Sequence, residues 1–178
     1  MSGGVCKIYG AGEGPHANSI LFTIYLTPPV EKLEEIALSK PTYAVNHFGT
    51  RRKELAVNGI FVNDMYHSAN NISQPWWIVD LTEMRTIHQV QIFTRQDCCQ
   101  ERLHDVEIRI GQELASNGDL TSYTLMSTYK GPYDISQGHV ICSHLKGVTG
   151  RFLGIKKISN DTDHLQLVEV RIYAVKKI

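Results

Sequence analysis

The sequence has no excess of charge of either sign and no long apolar run. Its 178 residues include 18 Lys and Arg against 18 Asp and Glu, and the sequence pI is about 7.1. A basic patch is the expected footprint of a nucleic-acid-binding domain, so this balance gives no electrostatic case for a nucleic-acid partner. The longest apolar run is Ile20–Leu26, which is far shorter than the roughly 20 residues of a membrane span. We therefore expect neither nucleic-acid binding nor membrane insertion.

The first 32 residues also lack the features of a secretory signal. A single lysine, Lys7, precedes the apolar run, and the segment Thr27-Pro28-Pro29 after it is a weak cleavage region. Early glycines and the two prolines instead predict that residues 1–32 form an N-terminal extension. The remaining residues, 33–178, are enough for one domain with one hydrophobic core.

Strands do not alternate with long helices in this sequence, which disfavours a parallel α/β sheet. Short runs of alternating apolar and polar residues are separated by turn signals such as Asn58-Gly59 and Asn117-Gly118. This pattern is typical of an all-β sandwich or barrel. Val30–Leu38 differs and predicts one or two helical turns, with Lys32 and Glu35 on one face. The predicted strands are Trp77–Leu81, Ile87–Phe93, Val106–Ile110, Tyr123–Tyr129, Val140-Ile141, Phe152–Ile158 and Leu167–Tyr173.

Cysteine is scarce, with only Cys6, Cys98, Cys99 and Cys142. There is no Cys-x-x-Cys redox spacing and no Cys/His cluster with the spacing of a zinc site. Four cysteines allow three pairings, and for Cys6 and Cys142 a bridge and two free thiols are equally open. Adjacent Cys98 and Cys99 can pair only through a small ring far from ordinary disulfide geometry. Such a ring would present a rigid, apolar sulfur surface, although a redox pair, two metal thiolates or two unrelated thiols also fit.

A dense charged loop connects two of the predicted strands. It contains Arg95, Asp97, Glu101 and Arg102 around the two adjacent cysteines. One interpretation is a solvated cluster of ion pairs, each worth about 0–1 kcal/mol. The other is a sugar site, because guanidinium groups can fork across two vicinal hydroxyl oxygens and neighbouring carboxylates would hold them in place. A flat apolar cysteine pair beside such donors suits the C–H face of a sugar ring.

The residues of this loop resemble the F-type lectins, or fucolectins. The resemblance covers roughly residues 33–175 and implies a β-sandwich jellyroll of the discoidin type that binds L-fucose near a structural calcium ion. It is carried by Arg95-x-Asp97-Cys98-Cys99-x-Glu101-Arg102 with Glu107–Gly111, by Gln74–Leu81, by Ile36–Pro41, by Gln112–Gly118 and by Leu167–Val170.

The resemblance implies a set of sugar-binding residues. The family motif is a histidine followed at a distance by Arg-x-Asp-x4-Arg, and 27 residues separate His67 from Arg95 here. His67 and the arginines would donate to sugar hydroxyls, Asp97 and Glu101 would orient the arginines, and the cysteine pair would stack under the ring. Aromatic residues in two variable loops would form the wall for the methyl group. The implied sugar site is His67, Arg95, Asp97, Cys98, Cys99, Arg102, His47, Phe48 and Phe61.

The implied calcium site departs from the family pattern. Asn58 stands where the family has aspartate, Asp64 stands where a hydroxyl residue is common, and Glu169 matches a carboxylate ligand. Backbone carbonyls of Leu55, Ile60 and Val168 would complete an all-oxygen shell, which suits Ca²⁺. The segment between Ile60 and Asp64 is also shorter than in typical members.

Two family disulfides have no counterpart here. Met65 and Val168 occupy the positions of one, and a non-cysteine near Tyr123 would leave Cys142 without its usual partner. We therefore expect the fold to depend more on packing and calcium, with about 2–4 kcal/mol lost per missing bridge.

The first functional hypothesis is an extracellular lectin that binds fucosylated glycans and gains strength as a homo-oligomer. The alternative is a discoidin-like adhesion module that binds protein or lipid headgroups without sugar. We expect no enzymatic activity, because Asp97 and Glu101 lie among arginines that keep carboxylates ionised rather than raise the pKa of a general acid.

Overall fold

The computed structural model describes residues 4–9, 32–62 and 64–177, which form short 3₁₀ turns and ten strands. No helix within these three ranges is long and apolar enough to cross a membrane. The strands are β1 (Gly4–Tyr9), β2 (Leu33–Glu35), β3 (Thr42–Ala44), β4 (Tyr66–His67), β5 (Trp76–Phe93), β6 (Val106–Gly111), β7 (Thr124–Tyr129), β8 (His139–Lys157), β9 (Gln166–Leu167) and β10 (Glu169–Val175). The 3₁₀ turns are Lys53–Val57, Gln100–Arg102, Ser116–Gly118 and Ile135–Gln137.

Two long antiparallel strands, β5 and β8, contribute to both halves of the structure. Their pairing is interrupted between Asp80 and Arg85 and again between Ile87 and Gln89. On one side of this irregularity, the first part of β5 lies between β3 and the last part of β8. The last part of β8 pairs with β6, and β6 pairs in turn with β7. On the other side, the rest of β5 lies between the start of β8 and β10, with β2 at the edge.

The core is formed by side chains of alternate residues on these strands. Trp77, Val79, Ile108 and Ile155 from one half and Ile172 from the other are all fully buried in one cluster. The period-two pattern that predicts the strands is the pattern of burial along them, because successive residues of a strand point to opposite faces. The predicted all-β class is confirmed.

The first strand joins the N-terminal segment to the sheet. β1 pairs in parallel with β7 and antiparallel with β8, and the Cys6–Cys142 disulfide links β1 to β8. Of the two possibilities left open for these cysteines, the bridge is the one observed, so Cys142 has a partner other than the one the family resemblance implied. The rest of the proposed extension before residue 32 lies outside the described residues, and the domain division stays a prediction.

One secondary-structure prediction is wrong. Within the described part of Val30–Leu38, Leu33–Glu35 forms β2 and pairs with β10. The Glu35 carboxylate accepts hydrogen bonds from the backbone N–H groups of Ala37, Leu38 and Ile172, which fixes this segment against the sheet edge. Tertiary pairing therefore overrides the local helical pattern.

Candidate functional site

His67 lies on a two-stranded ribbon formed by β4 and β9. The register pairs Tyr66 with Leu167 and His67 with Gln166. Tyr66 and Leu167 are fully buried in the core. Because neighbouring residues of a strand point to opposite faces, His67 and Gln166 share the face that is turned away from the core.

The hydrogen bond of His67 fixes the role of each ring nitrogen. Nδ1 lies 2.7 Å from the carbonyl oxygen of Ser68, which can only accept, so Nδ1 carries a proton and donates. Burial lowers the pKa of His67, the Ser68 hydrogen bond opposes that shift, and the charges of His164, Arg95 and Arg102 lower the pKa further. A neutral ring is thus favoured, and its Nε2 carries a lone pair that can accept a hydrogen bond. The expectation that His67 donates to a sugar hydroxyl holds only for the protonated ring.

The charged loop supplies two guanidinium groups with different surroundings. Arg95 donates from Nε and Nη2 to the two carboxylate oxygens of Asp97, over 2.6 and 2.9 Å. This pair raises the pKa of Arg95 and lowers that of Asp97 to about 2. Asp97 therefore orients Arg95, as the sequence predicts. In the described ranges, Arg102 and Glu101 form no ion pair, so the guanidinium of Arg102 keeps its donors for another partner.

The loop backbone is fixed from both sides. Cys98 and Cys99 form the predicted disulfide. The carbonyl oxygen of Arg102 accepts a hydrogen bond from Nζ of Lys157 over 2.8 Å. The charges of Arg95 and Arg102 both lower the pKa of His67, so the charged loop lies within electrostatic reach of the β4–β9 ribbon.

The aromatic residues expected in the wall lie in two separate places. The Phe48 ring lies 5.4 Å from the His67 ring, centroid to centroid, and is 49% exposed. His47 is exposed and forms a backbone bridge with Ser68. Phe61 instead packs edge-on against Phe93 with centroids 4.9 Å apart. Phe48 thus extends the surface beside His67, while the ring contacts of Phe61 are with the outer face of the sheet.

Three residues near the site were not found from the sequence. The ring of His164 lies 4.5 Å from that of His67, centroid to centroid. Gln166 is paired with His67, and Lys157 holds the carbonyl of Arg102. No signal in a single sequence marks these residues, because β9 is only two residues long and lies about 100 positions from its partner strand β4.

Three residues of the implied calcium site, Asn58, Asp64 and Glu169, lie around a tight turn. Gly59 has a left-handed backbone with φ of 77°, which favours glycine, and its N–H donates to the Glu169 carboxylate over 3.1 Å. The side-chain amide of Asn58 donates to Asp64 over 3.2 Å. The indole N–H of Trp77 donates to the Lys53 carbonyl and so holds the 3₁₀ turn that leads into this segment.

Glu169 is the buried carboxylate of this group of oxygens. Its side chain belongs to a residue that is only 2% exposed, and burial raises its pKa to about 7. Among the described residues no lysine, arginine or histidine forms an ion pair with it, although the charge of Arg171 lies near enough to oppose the shift. A buried carboxylate without an ion-pair partner, beside an amide and a second carboxylate, fits a hard cation such as Ca²⁺.

Two other polar groups are less suited to a ligand. Within the described residues, the one cluster of three histidine or carboxylate groups with metal-ligand spacing is His104, Asp161 and Asp163. Nζ of Lys157 donates to Nε2 of His104 over 3.1 Å, so a cation already occupies that position. A cleft beside β2 contains Glu34, Glu83 and Arg85, and the Arg85 guanidinium forms an ion pair with each of the two carboxylates.

A family model and several curated proteins match parts of this chain. The F5/F8 type C model for NedA-like, galactose-binding domains matches residues 55–153, more than half of the chain. A fucolectin from the eel Anguilla anguilla is 41% identical over 76 residues, which are 40% of this chain and 48% of the relative. A pentraxin fusion protein from Xenopus laevis is 32% identical over 100 residues, which are 56% of this chain and 23% of the relative. The matched segments thus span at most about half of these relatives.

Solved structures share the fold. A Streptococcus pneumoniae fucose-binding module has a TM-score of 0.64 at 24% identity, with 80% of this chain and 99% of that chain covered. A fucolectin from Morone saxatilis serum has a TM-score of 0.64 at 23% identity, with coverages of 82% and 48%. The predicted jellyroll sandwich and the resemblance to fucolectins are both confirmed.

Proposed function

Because the chain belongs to the F5/F8 type C family of NedA-like, galactose-binding domains, we propose that it is a lectin module that binds L-fucose and fucosylated glycans. Curated fucolectins are among its relatives, and fucose-binding modules share its fold. One observation carries the proposal: a buried histidine with a lowered pKa, His67, lies within electrostatic reach of two arginines, one held by a carboxylate and one without an ion pair.

This arrangement matches the chemistry of vicinal hydroxyl groups. Each hydroxyl donates one hydrogen bond and accepts others. Arg95 and Arg102 supply donors, and Nε2 of His67 supplies an acceptor. The Cys98–Cys99 pair offers an apolar surface to the C–H face of the sugar, and the exposed ring of Phe48 offers another to a methyl group.

The proposal includes a structural calcium ion and an extracellular location. Asn58, Asp64 and Glu169 would hold the ion with backbone carbonyls of Leu55, Ile60 and Val168. The ion would neutralise the buried Glu169 carboxylate and fix the turn beneath Phe61. Since single sugar sites are weak, we also expect the protein to act through several copies on one glycan surface.

Calorimetric titration with L-fucose and fucosylated oligosaccharides tests the proposal. Arg102→Gln should weaken binding at least about tenfold, since a hydrogen bond from a charged group is worth about 1.5–3 kcal/mol. Arg95→Gln should have a similar effect. Arg109→Gln is the matched control, because Arg109 pairs with Glu107 on β6. If the unaltered protein binds neither fucose nor any fucosylated glycan at millimolar concentration, the proposal is refuted.

A second candidate function is adhesion to lipid headgroups. It is favoured by two exposed apolar residues in the loop after the Asn58-Gly59 turn, Ile60 at 49% and Val62 at 69%. Co-sedimentation with phosphatidylserine vesicles, beside a glycan array, separates the two functions. Vesicle binding that is lost in Val62→Ser and unaffected by Arg102→Gln would favour adhesion.

A further inference from the structure

Gln166 has a fully buried side-chain amide that the fold does not use. The residue is 2% exposed, and neither Oε1 nor Nε2 has a hydrogen-bond partner among the described residues. The backbone carbonyl of Gln166, in contrast to its side chain, has a partner: it accepts a hydrogen bond from Oγ1 of Thr94 over 2.9 Å. A buried amide with both polar atoms unpaired is costly, so an apolar residue would serve the fold better at this position.

The position of Gln166 places this amide at the sugar site. Gln166 is directly opposite His67 in the β4–β9 pair, and opposed residues of an antiparallel pair have Cβ atoms only about 4.5–5.5 Å apart on one face. The other face of the ribbon, with Tyr66 and Leu167, belongs to the core. The unpaired amide is therefore a neighbour of the His67 ring.

His164 adds another unpaired atom at the same place. Its ring lies 4.5 Å from that of His67, and its Nδ1 is buried without a hydrogen-bond partner in the described part of the chain. The segment is firmly positioned, because Leu165 N–H donates to Oγ of Ser68 and Ser68 N–H donates to the Leu165 carbonyl. Three unpaired polar atoms thus lie beside His67 on a firmly positioned segment.

We propose that Gln166 is a sugar-binding residue, whose amide hydrogen-bonds a hydroxyl group of the bound sugar directly or through one bridging water, with His164 beside it. The inference rests on the proposed fucose site and extends it to β9. An amide suits a hydroxyl because it offers both a donor and an acceptor. The glutamine side chain rotates about three bonds, so it can turn from its buried position towards a ligand between His67 and the arginines. A bridging water would transmit the same contact.

Gln166→Met tests the proposal, because methionine keeps the length of the side chain and removes both polar atoms. The variant should be at least as thermally stable as the unaltered protein, since no hydrogen bond is lost without ligand. Its affinity for L-fucose should fall roughly three- to tenfold, the value of one neutral hydrogen bond. Gln91→Met is the control, because the amide of Gln91 donates to Gln89 on the outer face of β5 and its loss should leave affinity within twofold.

A set of deoxyfucoses distinguishes a direct contact from an effect on pocket shape. For the ligand that lacks the hydroxyl bound by Gln166, the substitution should cause no further loss, while the other deoxy ligands should lose the full factor. An equal loss with every ligand, or Gln166→Met affinity within twofold of the unaltered protein, overturns the proposal. Absence of all binding in the unaltered protein refutes the fucose site itself, which is a different outcome.

Nuclear magnetic resonance of the unaltered protein gives a second measurement that does not depend on the folding of a variant. The side-chain NH₂ signal of Gln166 should shift as fucose saturates the site, and the signal of Gln91 should not. A Gln166 signal that stays in place at saturation overturns the proposal.

Discussion

Glu169→Gln should make the calcium-free protein more stable and less responsive to calcium. Glu169 is 2% exposed, and its carboxylate accepts a hydrogen bond from the Gly59 N–H. Glutamine has nearly the same shape, and its amide oxygen can accept that same hydrogen bond. The substitution therefore removes a buried negative charge and leaves the packing of the turn in place.

The raised pKa sets the size of this effect. Burial raises the pKa of Glu169 from its ordinary value of 4.5 to about 7. Each tenfold change in proton affinity is worth about 1.4 kcal/mol, so ionised Glu169 destabilises the calcium-free fold by about 3 kcal/mol. The sign follows from the direction of the shift. The contribution of Glu169 to the stability of the fold is fully present below pH 4.5 and is lost as the pH rises towards 7. About 2 kcal/mol of the loss falls between pH 5 and pH 7.

Urea unfolding in a chelator, from pH 5 to pH 8.5, measures this loss. The difference in unfolding free energy between Glu169→Gln and the unaltered protein isolates Glu169, because all other titrating groups are shared. We expect the variant to gain stability relative to the unaltered protein with rising pH, by about 2–3 kcal/mol above pH 7. The exposed Glu113→Gln is the control for loss of a carboxylate, and its difference should stay flat across this range.

Calcium should remove most of the difference in stability between the two proteins. Added at 100 times its dissociation constant, it should stabilise the unaltered protein by about 2.7 kcal/mol and the Glu169→Gln variant by much less. A variant that is less stable than the unaltered protein in chelator at pH 8, or that keeps the full response to calcium, refutes the proposal that Glu169 is a buried negative charge that binds calcium.

Three further outcomes are expected. Lys157→Met should lower the unfolding free energy by about 2–3 kcal/mol and the melting temperature by about 5–10 °C. The reason is that it removes a fully buried ammonium that donates to the Arg102 carbonyl and to His104. An unchanged melting temperature would contradict this expectation. Replacing both Cys6 and Cys142 by alanine should destabilise the protein by about 2–5 kcal/mol, since the bridge spans 136 residues, and urea unfolding of oxidised and substituted protein checks it. Fucose affinity should stay constant from pH 8 to pH 6.5 and fall at more acidic pH, because the pKa of His67 is lowered and protonation removes the acceptor on Nε2. An affinity that rises on acidification would show that the ring donates to the sugar.

The strands of the central sheet were predictable because their burial follows the period of the sequence. Residues of Val106–Ile110 alternate between buried and half-buried, as the pattern indicates. The limits of the strands were less predictable. Trp77–Leu81 and Ile87–Phe93 form one continuous strand that bends, and Val168 divides the predicted last strand into β9 and β10. Bends and breaks of this kind depend on partner strands, which a local pattern does not contain.

The short strands β1 and β3 were missed for a similar reason. β1 is held by its pairing with β7 and β8 and by the Cys6–Cys142 bridge. Spacing alone could not choose this bridge, because its cysteines lie 136 positions apart and become neighbours only when the sheet has formed.

In the proposed sugar site, one side depends on contacts between near neighbours in sequence and the other on contacts between distant residues. Its arginine side is a continuous segment, Arg95–Arg102, in which the Arg95–Asp97 pair and the disulfide join near neighbours in sequence. Its histidine side depends on a contact between His67 and Gln166, 99 positions apart, made by two strands of two residues each. No periodic pattern can mark so short a strand. The unpaired amide of Gln166 becomes visible only when burial and hydrogen bonds are known, and it is on this side that the proposed site gains a residue beyond those that the sequence predicts.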